Sequence, residues 1–159
     1  MRKTDFCKSC KYVDCILVPP LKVKTPDLLV IGEAPGGDEE KVGQPFVGKA
    51  GKKLRKIMRE VGFNMARVAI TNTVICRPHG NEKPNKKEID LCSKQFLFTL
   101  IRELQPKMIM CAGEIARKAI KAEVWQDIPV AHVLHPGAYR SDIEKTTEIM
   151  KVHSALYPV

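Results

Sequence analysis

The sequence predicts a three-layer α/β/α fold built on a central, four-stranded, mainly parallel sheet. Two observations predict it. Short apolar runs alternate with stretches of helical periodicity, the order that right-handed crossovers turn into a parallel sheet with helices on both faces. The runs also lack the polar alternation of a half-exposed strand, as expected when both faces are covered.

The first run, 27–32 (Asp-Leu-Leu-Val-Ile-Gly), ends in glycine. Ala50, Leu54, Ile57, Met58 and Val61 then recur at helical spacing and stop at Gly62, a residue suited to close a helix. The second run is 68–74. After it comes Arg77-Pro78-His79-Gly80-Asn81 and Pro84, too rich in turn formers to be helical before Lys86. Cys76 is therefore expected to close a strand and Cys92 to ride on the next helix. That helix shows an apolar face of Ile89, Phe96, Leu100, Ile101 and Leu104 and ends before Pro106. Run three is 107–111, a short helix carries Ile115, Ala116, Ala119 and Ile120, run four is 129–134, and a last helix starts near Ser141. Ligands bind such sheets beyond the carboxyl ends of their strands. There the sequence places Gly32-Glu33-Ala34-Pro35-Gly36-Gly37, Asn72, Gly113-Glu114 and His135-Pro136-Gly137.

With 159 residues and 44% apolar content, the chain can bury one core, and no shift in composition marks a second; a single domain over 1–159, monomeric, is expected. No stretch approaches the ~18 apolar residues of a membrane span, and residues 1–10 lack the apolar segment of an export signal. A soluble chain of the cytoplasm is the expectation. The net charge of +9 favours a polyanionic partner, nucleic acid ahead of membrane. Much of the excess gathers at Lys49, Lys52, Lys53, Arg55 and Lys56, and again at Lys83, Lys86 and Lys87.

Four of six cysteines fall in two distant pairs, Cys7 with Cys10 and Cys76 with Cys92. Such thiols serve zinc, an iron-sulfur cluster or a redox pair, or are simply buried, and Cys111 inside an apolar run fits the last description. Without an export signal, a metal centre is a better account than disulfides. Cys15 stands outside both pairs.

The segments 32–40 and 43–51 together resemble the first motif of family 4 uracil-DNA glycosylases. Residues 71–78 are similar to that family's asparagine and third cluster cysteine, and 135–140 look like the second motif of the wider superfamily. Four such elements occur in order over roughly residues 7–140. The resemblance implies a [4Fe-4S] cluster on Cys7, Cys10, Cys76 and Cys92, and uracil-containing DNA, single- or double-stranded, as partner.

It also implies roles. An extruded base needs a ring to stack on, and Phe46 offers one. The Asn72 amide can match the N3–H and O4 of uracil, whereas cytosine presents the reversed pattern. Glu39 is expected near the C5 side of the base, where a thymine methyl must be excluded. Uracil leaves as an anion, so a donor held at O2 favours the transition state, and His135 is expected to supply it. Ala34, expected among the uracil-binding residues, stands where the best-studied branch of the superfamily carries a water-orienting aspartate, a lack that family 4 enzymes share, so Glu33 or its backbone is left to help the water and should matter less than His135. Gly36, Gly48 and Gly137 are expected to offer N–H groups to phosphates, Tyr139 to wedge into the gap left by the base, and Arg140 to take a phosphate. His79, His132 and His153 read as structural. Two alternatives stay open: a metal-containing nucleic-acid-binding module without chemistry, and a related glycosylase for another deaminated base.

Overall fold

The computed structural model describes residues 5–120, 125, 127–138 and 141–158. Strands β1 (Leu28–Gly32), β2 (Val68–Asn72), β3 (Met108–Ala112) and β4 (Val130–Val133) form one sheet in the order β2-β1-β3-β4, every pair parallel. Every residue of β1, β2 and β3 is buried, which accounts for their unbroken apolar character.

Alternate residues feed two cores. Leu29, Ile31, Ile109 and Cys111 face a layer holding Leu97, Leu100, Ile101 and Ala116, while Leu28, Val30, Met108 and Met110 face Leu54, Met58, Ile149 and Val152. The first helical layer comprises α3 (Lys86–Cys92), a π-helical stretch (Ser93–Leu97), α4 (Phe98–Leu104) and α5 (Glu114–Ala119). The second comprises α2 (Lys49–Val61) and α6 (Asp142–Leu156). The expected α/β/α layering is thus present, with a sheet that is wholly parallel.

Local chemistry sets the ends of these helices. Asn85 caps α3 by accepting from the Lys87 and Glu88 N–H groups, and Ser141 and Glu144 form a reciprocal capping box on α6. α2 closes at Gly62 as expected.

Three details differ from the sequence reading. β2 ends at Asn72, four residues before Cys76. There the Thr73 N–H and hydroxyl both donate to the Gly32 carbonyl (2.8 Å each), and the Val74 N–H donates to that of Glu33 (3.0 Å), which turns the chain off the sheet. Cys76 instead makes an isolated antiparallel bridge with Leu17. The single helix expected over 86–104 contains a π turn, which inserts a residue and rotates the apolar face partway along. Finally, six residues of the glycine-rich loop form a helix, α1 (Gly37–Val42), none of them buried.

The strands start level because of one carboxylate. Asp27, 4% exposed, takes two hydrogen bonds from the Arg67 guanidinium (2.7 Å each), an ion pair from Lys107 (2.9 Å) and the Tyr157 hydroxyl (3.0 Å). Its partners precede β2, precede β3 and follow α6, so one side chain gathers three strand starts and the C-terminal helix. The Arg67 guanidinium, helped by Lys107 and Tyr157, holds the Asp27 carboxyl far below the usual carboxylate range against the opposing effect of burial. A depressed folded-state value means that this stabilisation is complete above the unfolded value of ~4 and is lost as pH falls below it. Asp27→Asn is expected to cost about 2–3 kcal/mol at pH 7 in urea unfolding. The gap between variant and parent should narrow steadily below about pH 4.

Candidate active site and cysteine centre

Parallel register carries the four strand ends to one edge. Gly32 pairs with Asn72, Ile31 with Cys111, and Ala112 with Val133, so the loops after all four strands rise from the same rim.

Phe46 and Asn72 meet at Gly32. A methyl group on Gly32 would stand 2.5 Å from Asn72 Oδ1 and 2.6 Å from Cζ of the Phe46 ring, so only glycine leaves room for both. Both residues are buried, and among the described residues the side-chain hydrogen bond found at Asn72 goes to its backbone carbonyl, from the Thr71 hydroxyl, not to its amide.

The loop bearing Phe46 is held from three sides. Phe46 has φ of 59°, a left-handed conformation that a residue with a bulky side chain adopts only when its surroundings impose it. The Arg55 guanidinium from α2 donates to the carbonyls of Pro45 and Phe46, each at 3.0 Å. Gly51 lets α2 approach, since a Cβ there would lie 2.3 Å from the Phe46 backbone. The third holder is Glu39 in α1. One carboxylate oxygen accepts from the N–H groups of Val47 (3.0 Å) and Gly48 (2.8 Å), and the other from that of Gly36 (3.2 Å).

These bonds bear on the expected phosphate contacts. The N–H groups of Gly36 and Gly48 point at Glu39, and the start of α2 is faced by the carboxylates of Glu39 and Asp38, which disfavour an anion there. Gly137 is likewise engaged, its N–H donating to His135 Nδ1 at 3.1 Å. Tyr139 and Arg140 lie outside the described residues. Basic side chains remain as electrostatic candidates: α2 carries six against one acidic, a net +5 of the chain's +9, and Lys83 and Lys86 of the second cluster border an open groove at the rim.

His135 follows β4 and packs its Cβ against Gly113, at the end of β3. Because Nδ1 accepts from Gly137, the neutral ring carries its proton on Nε2 and presents that N–H outward. The Ala138 N–H closes the turn on the His135 carbonyl at 2.7 Å, and the Leu134 N–H is held by the Glu148 carboxylate from α6. An open groove runs along this rim, lined by Glu33, Ala34, Gly36, Gly113, His135 and Ala138 among others. Phe46 and Asn72 do not line it; they are buried beside it at Gly32, next in sequence to Glu33. The structure thus brings together Phe46 with Asn72, and His135 with Glu33 and Ala34, along one edge.

The cysteines converge from three segments. Cys7, Cys10, Cys76 and Cys92 are all buried and none is in a disulfide. The Val18 N–H donates to the Ile75 carbonyl and Leu17 bridges Cys76, which draws the N-terminal segment onto the loop after β2. Burial pushes the Cys92 thiol up to about 11, an effect to which the Cys10 and Cys7 thiols add and which a hydrogen bond from the Ile75 backbone opposes. Among the described residues no three His, Cys, Asp or Glu side chains form a group that could hold a single metal ion. A four-iron cluster is less demanding, since each thiolate binds a separate iron of a larger body. The surroundings suit such a body: the Tyr12 N–H points at Cys10 Sγ (3.4 Å), and the Ser93 hydroxyl beside Cys92 is buried with no hydrogen-bond partner. Of the other thiols, Cys15 lies 3.7 Å from a ring nitrogen of His79, and burial raises Cys111 to about 12, leaving it inert. His153 packs edge-on against Phe63, as a structural histidine does.

Comparison with known proteins agrees with this geometry. Residues 19–153 match the model of the uracil DNA glycosylase superfamily. A type-4 uracil-DNA glycosylase of Archaeoglobus fulgidus is 30% identical over 94% of this chain and 90% of its own length. One from Sulfurisphaera tokodaii is 34% identical over 89% of this chain and 76% of its own. A solution NMR structure from Methanosarcina acetivorans, described as a candidate uracil DNA glycosylase, superposes with a TM-score of 0.65 at 11% identity, covering 89% of this chain and 97% of that one, which supports the fold alone. With the family model spanning most of the chain and type-4 relatives aligning over nearly all of it, the protein belongs to the uracil DNA glycosylase superfamily, on its type-4 branch.

Proposed function

We propose that this protein hydrolyses the N-glycosidic bond of uracil in DNA, single- or double-stranded, releasing the free base and leaving an abasic site. The observation that carries the reading is the meeting of an aromatic ring and a side-chain amide at Gly32, on the rim that also bears His135.

The base enters with its face on Phe46 and its N3–H and O4 on the Asn72 amide. The backbones of β2 and β4 are separated by three strand spacings, about 14 Å, a span that side chains from both flanks bridge with one base between them. As the bond to the sugar breaks, negative charge grows on the uracil ring, and the Nε2–H of His135 meets it at O2. Nδ1 is occupied by Gly137, so the ring does not have to change tautomer to do this. The sugar left behind is cation-like and takes water. Ala34 cannot ionise, so Glu33 or its backbone guides the water, as a helper of less weight than His135. Glu39 bounds the C5 side through the loop that it holds. Phosphates of the strand are met by basic side chains of α2, with Arg140 and Tyr139 taking the neighbouring phosphate and the vacated stack.

Cys7, Cys10, Cys76 and Cys92 hold a [4Fe-4S] cluster. Bound there, it supplies a cross-link between the N-terminal segment, the loop after β2 and α3, and no chemistry at the base. The domain acts as one unit over 1–159 and as a monomer.

Three experiments test this reading. Uracil release from a uracil-containing oligonucleotide is expected to fall about 10²–10³-fold in kcat for His135→Ala. Asn72→Ala should fall at least comparably, with Glu33→Gln less affected than either; unchanged release in both Asn72→Ala and His135→Ala would overturn the assignment. Gly32→Ala should fold, by circular dichroism, and yet release no uracil, because the added methyl occupies the space between ring and amide. Anaerobically purified protein should contain about four irons with matching acid-labile sulfide. Cys76→Ser should lose both, whereas zinc in their place would point to a different centre.

A further inference from the structure

α1 buries no residue, so no apolar core fixes its position, yet its Glu39 holds the loop on which Phe46 keeps a left-handed backbone. Something polar must locate this helix. The candidate is Arg77, the residue directly after Cys76. Its Nη1 donates to Glu40 Oε2 in α1 at 3.0 Å, its Nε donates to Asn81 Oδ1 at 2.8 Å, and the guanidinium carbon lies 3.4 Å from where a Cβ on Gly37 would stand. The two charged side chains are only 30% and 23% exposed, so the pair is partly shielded from water and salt. Asn81 fixes the fork on its own loop, and the fork then fixes α1.

We infer that Arg77 is a positioning residue that couples the cysteine-bearing loop to the base-stacking loop, through Glu40, α1 and Glu39. The inference rests on the proposed uracil excision for its functional consequence but not for its structural one. Whatever holds Cys76 in place also places Arg77, and loss of order around the cysteines reaches Phe46 by this path without any change in the residues that touch the base. Lysine cannot replace the arginine fully, because a single ammonium cannot serve Glu40 and Asn81 in a fixed fork.

The test uses the full-length protein with its cysteine centre as isolated. Amide hydrogen exchange at Val47 and Gly48, the donors to Glu39, is expected to quicken roughly tenfold in Arg77→Ala and to a smaller extent in Glu40→Gln and Arg77→Lys. Iron content and the visible spectrum should stay at the parent level. Uracil release should show a raised KM with a lesser change in kcat, since a misplaced stacking ring weakens capture of the base. The same substitution in a Phe46→Leu background should cost little more, because the two act in one path. The charge exchange Arg77→Glu with Glu40→Arg should restore slower exchange. Unaltered exchange at Val47 and Gly48 in both Arg77→Ala and Glu40→Gln would overturn the inference, as would equal costs of Arg77→Ala with and without Phe46. If Arg77→Ala does not fold, Glu40→Gln carries the comparison. Altered exchange in a protein whose parent releases no uracil would retain the coupling and reject the activity.

Discussion

The fold rests on the way Asp27 gathers charge at the amino edge of the sheet. A nearly buried carboxylate is costly unless its oxygens are filled, and here a guanidinium, an ammonium and a phenol fill them from three directions. Because those partners sit at the starts of β2 and β3 and beyond the last helix, satisfying one side chain aligns the strands lengthwise. Parallel strands that start level end level. At the opposite rim the register of the first three strands brings Gly32 beside Asn72 and Ile31 beside Cys111, so the knot and the rim are the two ends of the same aligned strands.

At the working rim, backbone donors are spent on shaping the pocket. Gly36, Val47 and Gly48 serve Glu39, Thr73 and Val74 serve the carbonyls at the end of β1, and Gly137 serves the ring of His135. Each bond fixes a functional group at second hand. Glu39 holds Phe46 through the backbone of its neighbours, and Gly137 decides which nitrogen of His135 carries the proton. The side chains proposed to meet the base are thus held through bonds made by their neighbours, and the backbone donors of this rim are engaged within the protein.

Much of this was legible in the sequence. Strands covered on both faces are unbroken apolar runs, and the amphipathic helices α2 and α4 announce themselves by spacing and by their terminal glycine and proline neighbours. Motif order along the chain singled out Phe46, Asn72 and His135, and the parallel register carries the segments that bear them to one edge. What was hidden depends on partners far apart in sequence. Asp27 looks like the polar start of a strand until Arg67, Lys107 and Tyr157 fold against it. α1 has six residues and no apolar face, so no periodicity could reveal it. Whether a glycine N–H meets a phosphate or a neighbouring carboxylate likewise turns on the placement of Glu39, which spacing alone does not convey. The turn formers after Cys76 point to a strand that ends there; the two hydrogen bonds made by Thr73 end it sooner.

The uneven charge of α2 has a consequence for encounter with a long polyanion. With more than half of the net charge on the thirteen residues of α2, which starts at the rim and runs back along the sheet, the charge is unevenly spread. Such an uneven field exerts a torque on an approaching molecule and favours encounters on the α2 flank. Dissolved ions shorten the reach of that torque, so added salt should slow productive arrivals by randomising orientation while the grip on an already captured base changes little.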